Sequence, residues 1–409
     1  MKQPKYLIVL IALFVYACNP AEKEESLLDK ANRLAQENII ADGHVDLPYR
    51  MEQLGLMAKG EVLDVSKSAL DGNFDQPRAK IGGLDAPFMS IYIPADYQVI
   101  EGYAKKFADS LISMTKQLAN TYPDHFAMAY SPDDVEANFK AGKISLPMGM
   151  ENGAPVEGDI SLVEYYQKAG IRYITLTHGT DNKISDSSYD TTGTHGGLSE
   201  YGKEVVKEMN RVGIMVDISH VSDNAFWNVM EMTDVPAIAS HSSVRKFTPG
   251  FERNMNDDMI KRLAEENGVI MINFGSSFLD GEYRARRAAY DEHIDNWLAE
   301  NNLERTVAAA KTYIENYTKE NDPWSNVQKV ADHIDHVVAI TGSTKHVGLG
   351  SDYDGVGDSL PTGMKDVSTF PNLIHELLKR GYSDEDIKNI CSGNILRVWR
   401  AVEAAAAAI

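Results

Sequence analysis

Cysteine is nearly absent. The 409 residues hold two, Cys18 and Cys391, which excludes a disulfide framework and any cysteine-rich zinc module. Basic residues are in deficit, 40 Lys and Arg against 60 Asp and Glu for a net charge of −20. A field of that sign repels a phosphate backbone, so nucleic acid is excluded as a partner. The apolar run Tyr6 to Ala17 falls short of the ~20 residues a spanning helix needs. No Gly-x-Ser-x-Gly elbow occurs, which sets aside a serine hydrolase of that type. Past the first 25 residues there is no Pro/Gly/Ser-rich linker and no internal repeat. What remains is the mixture of an ordinary globular chain, 43% hydrophobic and 24% charged, which rules out a disordered chain, a collagen and a multi-span membrane protein.

At the N-terminus Lys2 and Lys5 precede the apolar run, the order of a secretory signal. Val15-Tyr16-Ala17-Cys18 resembles a bacterial lipobox. Residues 1–17 are therefore expected to be a signal peptide, Cys18 to carry lipid, and residues 18–25 to form a polar tether. This implies a lipid-anchored protein of the bacterial cell envelope, on the periplasmic or surface side of the outer membrane, with no other contact to the membrane. Cys391, among Ile387, Ile390 and Ile395, reads as a buried packing residue.

Residues 26–403 read as one domain, followed by an Ala-rich tail over 404–409. Eight short apolar runs recur: Ile39–Val45, Phe88–Ile93, Pro147–Met150, Tyr173–Thr177, Ile214–Ile218, Ala237–Ser240, Val269–Phe274 and Val347–Gly350. Most lack strict alternation, as strands buried on both faces do. Helical stripes lie between them, such as Val205, Val206, Met209 and Val212 closed by Gly213. Another starts at the N-cap Asn256, carries Ile260 and Leu263, and is closed by Gly268. Eight buried strands alternating with helices predict an α/β fold of the closed parallel (β/α)8 TIM-barrel type; a doubly wound open sheet gives a similar alternation. The polar stretch 279–322 reads as a helical insertion after a strand.

The phase of the polar residues favours the barrel. His44 and Asp46 end the first run, two apart and hence on one face of extended chain. Glu151, His178 and His241 directly follow later runs, and His220 and Asp352 follow theirs one residue further on. In a parallel barrel all these ends open on one rim. Imidazole and carboxylate ligands without thiolate suit zinc, with manganese or cobalt conceivable, and two ions ~3.5–4 Å apart can hold a hydroxide between them.

The motifs resemble those of the membrane (renal) dipeptidases. The strings are Asp42-Gly43-His44-Val45-Asp46-Leu47-Pro48, Thr175-Leu176-Thr177-His178, Asp217-Ile218-Ser219-His220-Val221-Ser222, Ser240-His241-Ser242-Ser243, Arg253-Asn254 and Gly348-Leu349-Gly350-Ser351-Asp352-Tyr353-Asp354-Gly355. They run in order from about residue 37 to about residue 400. The resemblance implies a metallo-dependent (β/α)8 barrel with two Zn2+ per chain. His44 and Asp46 would bind one ion, His220 and His241 the other, and Glu151 would bridge both. It further implies that Asp352 shuttles the proton and faces the substrate's amine, that His178 stabilises the oxyanion, and that Arg253 grips the terminal carboxylate. The implied substrate is a dipeptide, including one with a C-terminal D-residue, cleaved by a metal-bridging hydroxide; a homodimer is implied as well.

Two positions depart from some members: Asn152-Gly153-Ala154 after the bridging glutamate, and Gly275 where a tyrosine follows the Asn-Phe pair. Both bear on substrate choice. His333 and His336, three apart on a helix, read as packing or rim residues, and His346 precedes a strand and belongs to the opposite end. Two other readings stay open: an amidohydrolase-like enzyme acting on a lactone, β-lactam or cyclic amide, and a lipoprotein that binds peptide or zinc without turnover.

Overall fold

The computed structural model describes residues 25–68, 71–156 and 158–408. The signal peptide and lipidated Cys18 expected from the sequence lie outside the described residues. Eight parallel strands close into a barrel: β1 Ile40–Val45, β2 Leu84–Tyr92, β3 Met148–Glu151, β4 Ile171–Thr175, β5 Met215–Asp217, β6 Ile238–Ser242, β7 Val269–Ile272 and β8 Val347–Leu349. Each strand pairs with the next, and β8 closes on β1 where Leu349 lies opposite Asp42. Apart from the half-exposed end of β2 at Tyr92, the strands are buried throughout, which is why they carry no polar alternation. β2 begins at Leu84, four residues ahead of the run read from the sequence, because Asp85 and Pro87 interrupt the apolar pattern. Asp85 is buried and accepts the Ile40 N–H at 3.3 Å.

The helices start and stop where the sequence places caps. Asn256 accepts the Met259 N–H, and Gly213 ends its helix at φ 82°. The helix from Asn256 ends at Glu265, and Asn267, at φ 59°, takes the left-handed position expected of Gly268. Two helices after β7, Tyr283–Asn301 and Ala308–Glu320, form a hairpin with a small core of Tyr290, Ile294, Leu298 and Ala310.

The final helix, Asn394–Ala407, plugs the N-terminal end of the barrel. Trp399 packs 5.4 Å from Phe88, and Asn394 donates to the carbonyl of Val347 at the start of β8. A π-turn at Asn389–Gly393 precedes this helix and buries Cys391, whose thiol burial pushes up to about 12, so it stays protonated and inert. With that end closed, the C-terminal strand ends form the open rim. Gly43 sharpens it: a Cβ there would overlap the Ser240 carbonyl across the barrel, so only glycine lets β1 and β6 approach this closely. No helix among the described residues is long and apolar enough to cross a membrane.

Candidate metal and substrate site

Eight residues read from the sequence come together on this rim, although they span more than 300 positions. The Glu151 side chain lies at the centre, and its two oxygens face different neighbours. Oε2 stands 3.4 Å from His44 Nε2. Oε1 stands 3.0 Å from His220 Nε2 and 3.2 Å from His241 Nε2. Asp46 Oδ2 lies 3.4 Å from His44 Nε2 on the Oε2 side, and His178 Nε2 lies 3.6 Å from Oε1. Asp352 shares a ligand-sized cluster with His44 and Asp46.

The imidazoles are aimed from behind. Tyr173 donates its phenol proton to the Gly43 carbonyl at 3.0 Å, so the lone pair that meets His44 Nδ1 at 2.9 Å accepts an N–H. His44 Nε2 is thereby the nitrogen turned toward Glu151 and Asp46, buried and without a hydrogen-bond partner among the described residues. The same logic fixes His241. Ser240 donates to Asp217 Oδ2 at 2.6 Å and presents its lone pair to His241 Nδ1 at 2.7 Å, which turns Nε2 toward Glu151 and to within 2.9 Å of His220 Nε2. Asp217 is held in turn by the Ser219 and Ser240 amides and the Thr175 hydroxyl. Partners of this kind orient metal-ligating imidazoles and fix their tautomers.

Backbone strain gathers at the same place. Among the described residues six non-glycine residues have positive φ, and four of them, Asn152, His220, Asp352 and Asp354, lie at the strand ends that form the rim. Such conformations cost about 1–3 kcal/mol each and persist only where the surroundings impose them. For His220 the clamp is the loop after β4: Ser188 N–H donates to the His220 carbonyl at 2.8 Å, and Ser187 pairs with Val221.

Electrostatics follow from the packing. Burial alone would raise the Glu151 carboxyl, but the surrounding imidazoles overcome it and hold it well below the usual carboxylate range. Burial above all, together with the nearby Arg253 guanidinium, pushes His220 and His241 well below the ordinary histidine range, so both imidazoles are neutral. Burial keeps His178 neutral too. Asp352 is pushed up to about 7, by burial first and by the neighbouring Asp46 and Glu151 charges, while His44 and the Asn273 amide, donating to Oδ2 at 2.8 Å, pull the other way.

Nitrogen and oxygen donors with no sulfur fit zinc. The orphaned buried atoms His44 Nε2 and Asp46 Oδ1 have no protein group to satisfy them, which a cation would do. Gly355 enlarges the cradle, since a Cβ there would overlap both Asp352 Oδ1 and Asp46 Oδ2.

Above the cluster opens a cavity of about 560 Å³, with Tyr49, Tyr92, Tyr189, Phe278 and Val356 among its walls. Arg253 sits beside rather than in this cavity. It is 3% exposed and donates from Nη1 to Ser242 Oγ at 2.6 Å and from Nη2 to the His241 carbonyl at 2.8 Å. Its Nε–H has no partner among the described residues.

The departures at Asn152 and Gly275 have clear structural roles. Asn152 turns away from the cluster and donates to the Ile93 carbonyl at 3.0 Å. Gly275 donates its amide to Asn273 Oδ1 at 2.7 Å, which orients the amide that holds Asp352, and a Cβ there would press on Phe278 and Val356. His333 is buried and His336 pairs with Asp257, while His346 bonds the Gly268 carbonyl at the far end of the barrel. His195 is tied to the Asn182 carbonyl within its loop. Sequence reading passed over Tyr173, Asp217, Ser240 and Asn273 as site components. Tyr173 and Asp217 sit inside runs that read as plain buried strand, and only their place on the inward face distinguishes them.

A closed (β/α)8 barrel carrying a histidine–carboxylate cluster at the C-terminal strand ends defines the protein as a metallohydrolase-type barrel. Comparison with known proteins narrows the class: the sequence model of the membrane dipeptidases, peptidase family M19, matches residues 28–409, and the chain belongs to this family of metal-dependent dipeptidases. An uncharacterized dipeptidase of Schizosaccharomyces pombe is 29% identical over 379 residues, 89% of this chain and 81% of its own length. Among solved structures, the probable dipeptidase PvdM of Pseudomonas aeruginosa is 25% identical with a TM-score of 0.76, covering 93% of this chain and 99% of its own. A metallo peptidase of Rhodobacter sphaeroides, solved with a phosphinate mimic of the dipeptide L-Ala-D-Ala, shares the fold at 22% identity and a TM-score of 0.71, covering 89% of this chain and 99% of its own.

Proposed function

We propose that this protein is a binuclear zinc dipeptidase that hydrolyses the peptide bond of dipeptides, those with a C-terminal D-residue included. The observation that carries the reading is the division of Glu151, with Oε2 turned to His44 and Oε1 to His220 and His241. A carboxylate so divided is suited to bridge two ions, one held with His44 and Asp46, the other with His220 and His241. When bound, the pair supplies Lewis acidity and lowers the pKa of an attacking water.

The chain's own groups do the rest. Asp352 Oδ2 is fixed by Asn273, so Oδ1 is the oxygen that takes the water's proton and returns it to the leaving amine as the C–N bond breaks. Neutral His178 donates its imidazole N–H to the oxygen on which negative charge develops. The free Nε–H of Arg253 is the donor for the substrate's carboxylate. With the amine near Asp352 and the carboxylate near Arg253, both ends of the substrate are fixed, and a longer peptide misplaces one of them.

The test is elemental analysis of purified protein together with a dipeptide and tripeptide panel of both configurations at the C-terminal residue. Two zinc ions per chain, cleavage of dipeptides alone and loss of activity on chelation are expected; equal rates after complete metal removal overturn the metal role. We further propose that Cys18 carries lipid in the cell envelope, which the lipobox-like Val15-Tyr16-Ala17-Cys18 supports. Fatty-acid labelling that survives Cys18→Ala would refute it.

A further inference from the structure

Arg284 stands apart from every other arginine of the chain. Each of the others makes a hydrogen bond or ion pair, to a carboxylate, a hydroxyl or a backbone carbonyl. Arg284 makes none among the described residues, in a protein with half again as many acids as bases. Its guanidinium instead rests 5.5 Å from the centre of the Phe251 ring. The nearby Asp280 carboxylate does not neutralise it, because Asp280 pairs with Arg286 at 2.9 Å and accepts the Glu282 amide.

The place of this charge matters. Arg284 and Phe251 line a recess of about 240 Å³ that shares Ser277 with the main cavity. Phe251 meets Phe278, a wall of the main cavity, edge to face at 5.6 Å. Arg253 lies on the other side of that pair, 5.4 Å from the Phe278 ring centre. Two guanidiniums thus flank one aromatic pair, one buried beside the reacting centre and one exposed at the mouth. Tyr189, in the cavity wall and 6.1 Å from Phe251, lies within electrostatic reach of both.

We infer that Arg284 is a specificity residue that selects dipeptides whose C-terminal residue bears a side-chain carboxylate. The inference rests on the dipeptidase reading and on the α-carboxylate lying at Arg253, which directs the C-terminal side chain along the Phe278–Phe251 wall toward the recess. There a carboxylate meets a cation that the protein leaves unpaired and whose rotamer Phe251 already restricts. A neutral amide of the same shape gains no such attraction.

The experiment compares kcat/KM for Ala-Glu and Ala-Gln, and for Ala-Asp and Ala-Asn, with either configuration at the second residue. An exposed ion pair is worth up to ~1 kcal/mol, so acid-over-amide ratios of about three to five are expected at low salt, carried by KM and shrinking as salt is added. Arg284→Gln brings the ratio to about one and Arg284→Lys restores part of it. Because each ratio is taken within one protein, a change in the folded fraction cancels. Dipeptide hydrolysis with ratios of one, or ratios unchanged in Arg284→Gln, overturns the inference and leaves the dipeptidase reading intact. Failure to cleave any dipeptide overturns both.

Discussion

His44 and Tyr173 meet through a 2.9 Å hydrogen bond between Nδ1 and the phenol oxygen, although 129 residues separate them. The phenol proton is committed to the Gly43 carbonyl, on the same strand as His44 itself. A single side chain of β4 therefore fixes both the strand end and the tautomer of the imidazole it carries. Asp217 and Ser240 do the same for His241. The barrel thus positions not only the imidazoles but the protons behind them.

Removing that phenol tests the arrangement. Tyr173→Phe keeps the ring, which packs 5.6 Å from Phe88, and removes only the oxygen. Loss of a hydrogen-bond partner behind a ligating histidine weakens metal binding by about 10- to 100-fold. Competition with a chelator of known affinity measures this directly, and activity at limiting zinc is expected to fall and recover in excess. Unchanged zinc affinity would show that the phenol does not orient His44.

Gly355 offers a test of the carboxylates. In Gly355→Ala the new methyl group would overlap Asp352 Oδ1 and Asp46 Oδ2, so at least one carboxylate must move. A displacement of about 1 Å at a reacting group costs on the order of 100-fold in rate. The turnover number is therefore expected to fall by that factor. Calorimetric melting checks that the fold is retained, and full activity in the variant would mean that neither carboxylate needs its present place.

Much of this was legible in the sequence because the chemistry keeps phase with the fold. His44, Asp46, Glu151, His178, His220, His241 and Asp352 all sit at or just past the ends of apolar runs, and buried parallel strands read as such runs. Boundaries blurred where a strand contains its own polar residue, as β2 does at Asp85. The supporting residues were hidden for a related reason. Tyr173 counts as apolar in any pattern, and its phenol acquires a role only when β1 and β4 face each other across the barrel. Arg253 illustrates the opposite limit: the family resemblance implies a gripping group, but its burial against Ser242 and the His241 carbonyl depends on long-range packing.

His333 predicts a pH dependence of stability. It is buried, accepts the Val244 N–H at Nδ1 and donates from Nε2 to the Leu279 carbonyl, each at 3.0 Å. Burial pushes it down to about 4. The unfolded chain takes up this proton near pH 6.5, the folded one only near 4. Stability is therefore fully present above pH 6.5 and is lost as pH falls toward 4, by about 3 kcal/mol at the lower limit. Urea unfolding of the parent and of His333→Gln at pH 7 and pH 4 isolates the effect. The parent is expected to lose about 3 kcal/mol more than the variant over that interval, and parallel losses would refute the assignment.

Arg253 carries two duties, and substitution separates them. Its Nη1 and Nη2 bonds brace Ser242 and the backbone of His241 from within the core, while Nε–H, without a partner among the described residues, is the donor proposed for the substrate. Arg253→Ala removes all three donors and leaves the His241 carbonyl and the Ser242 hydroxyl without their partner, a change worth about 2–4 kcal/mol of stability as well as a higher KM. Arg253→Lys keeps the charge and one brace but loses the fork that serves substrate and scaffold together. The lysine variant is expected to melt close to the parent and to raise KM more than it lowers kcat, whereas the alanine variant loses both stability and turnover through His241. If Arg253→Lys instead left KM unchanged, the guanidinium would be a brace for His241 alone, and the carboxylate of the substrate would have to be held elsewhere in the cavity.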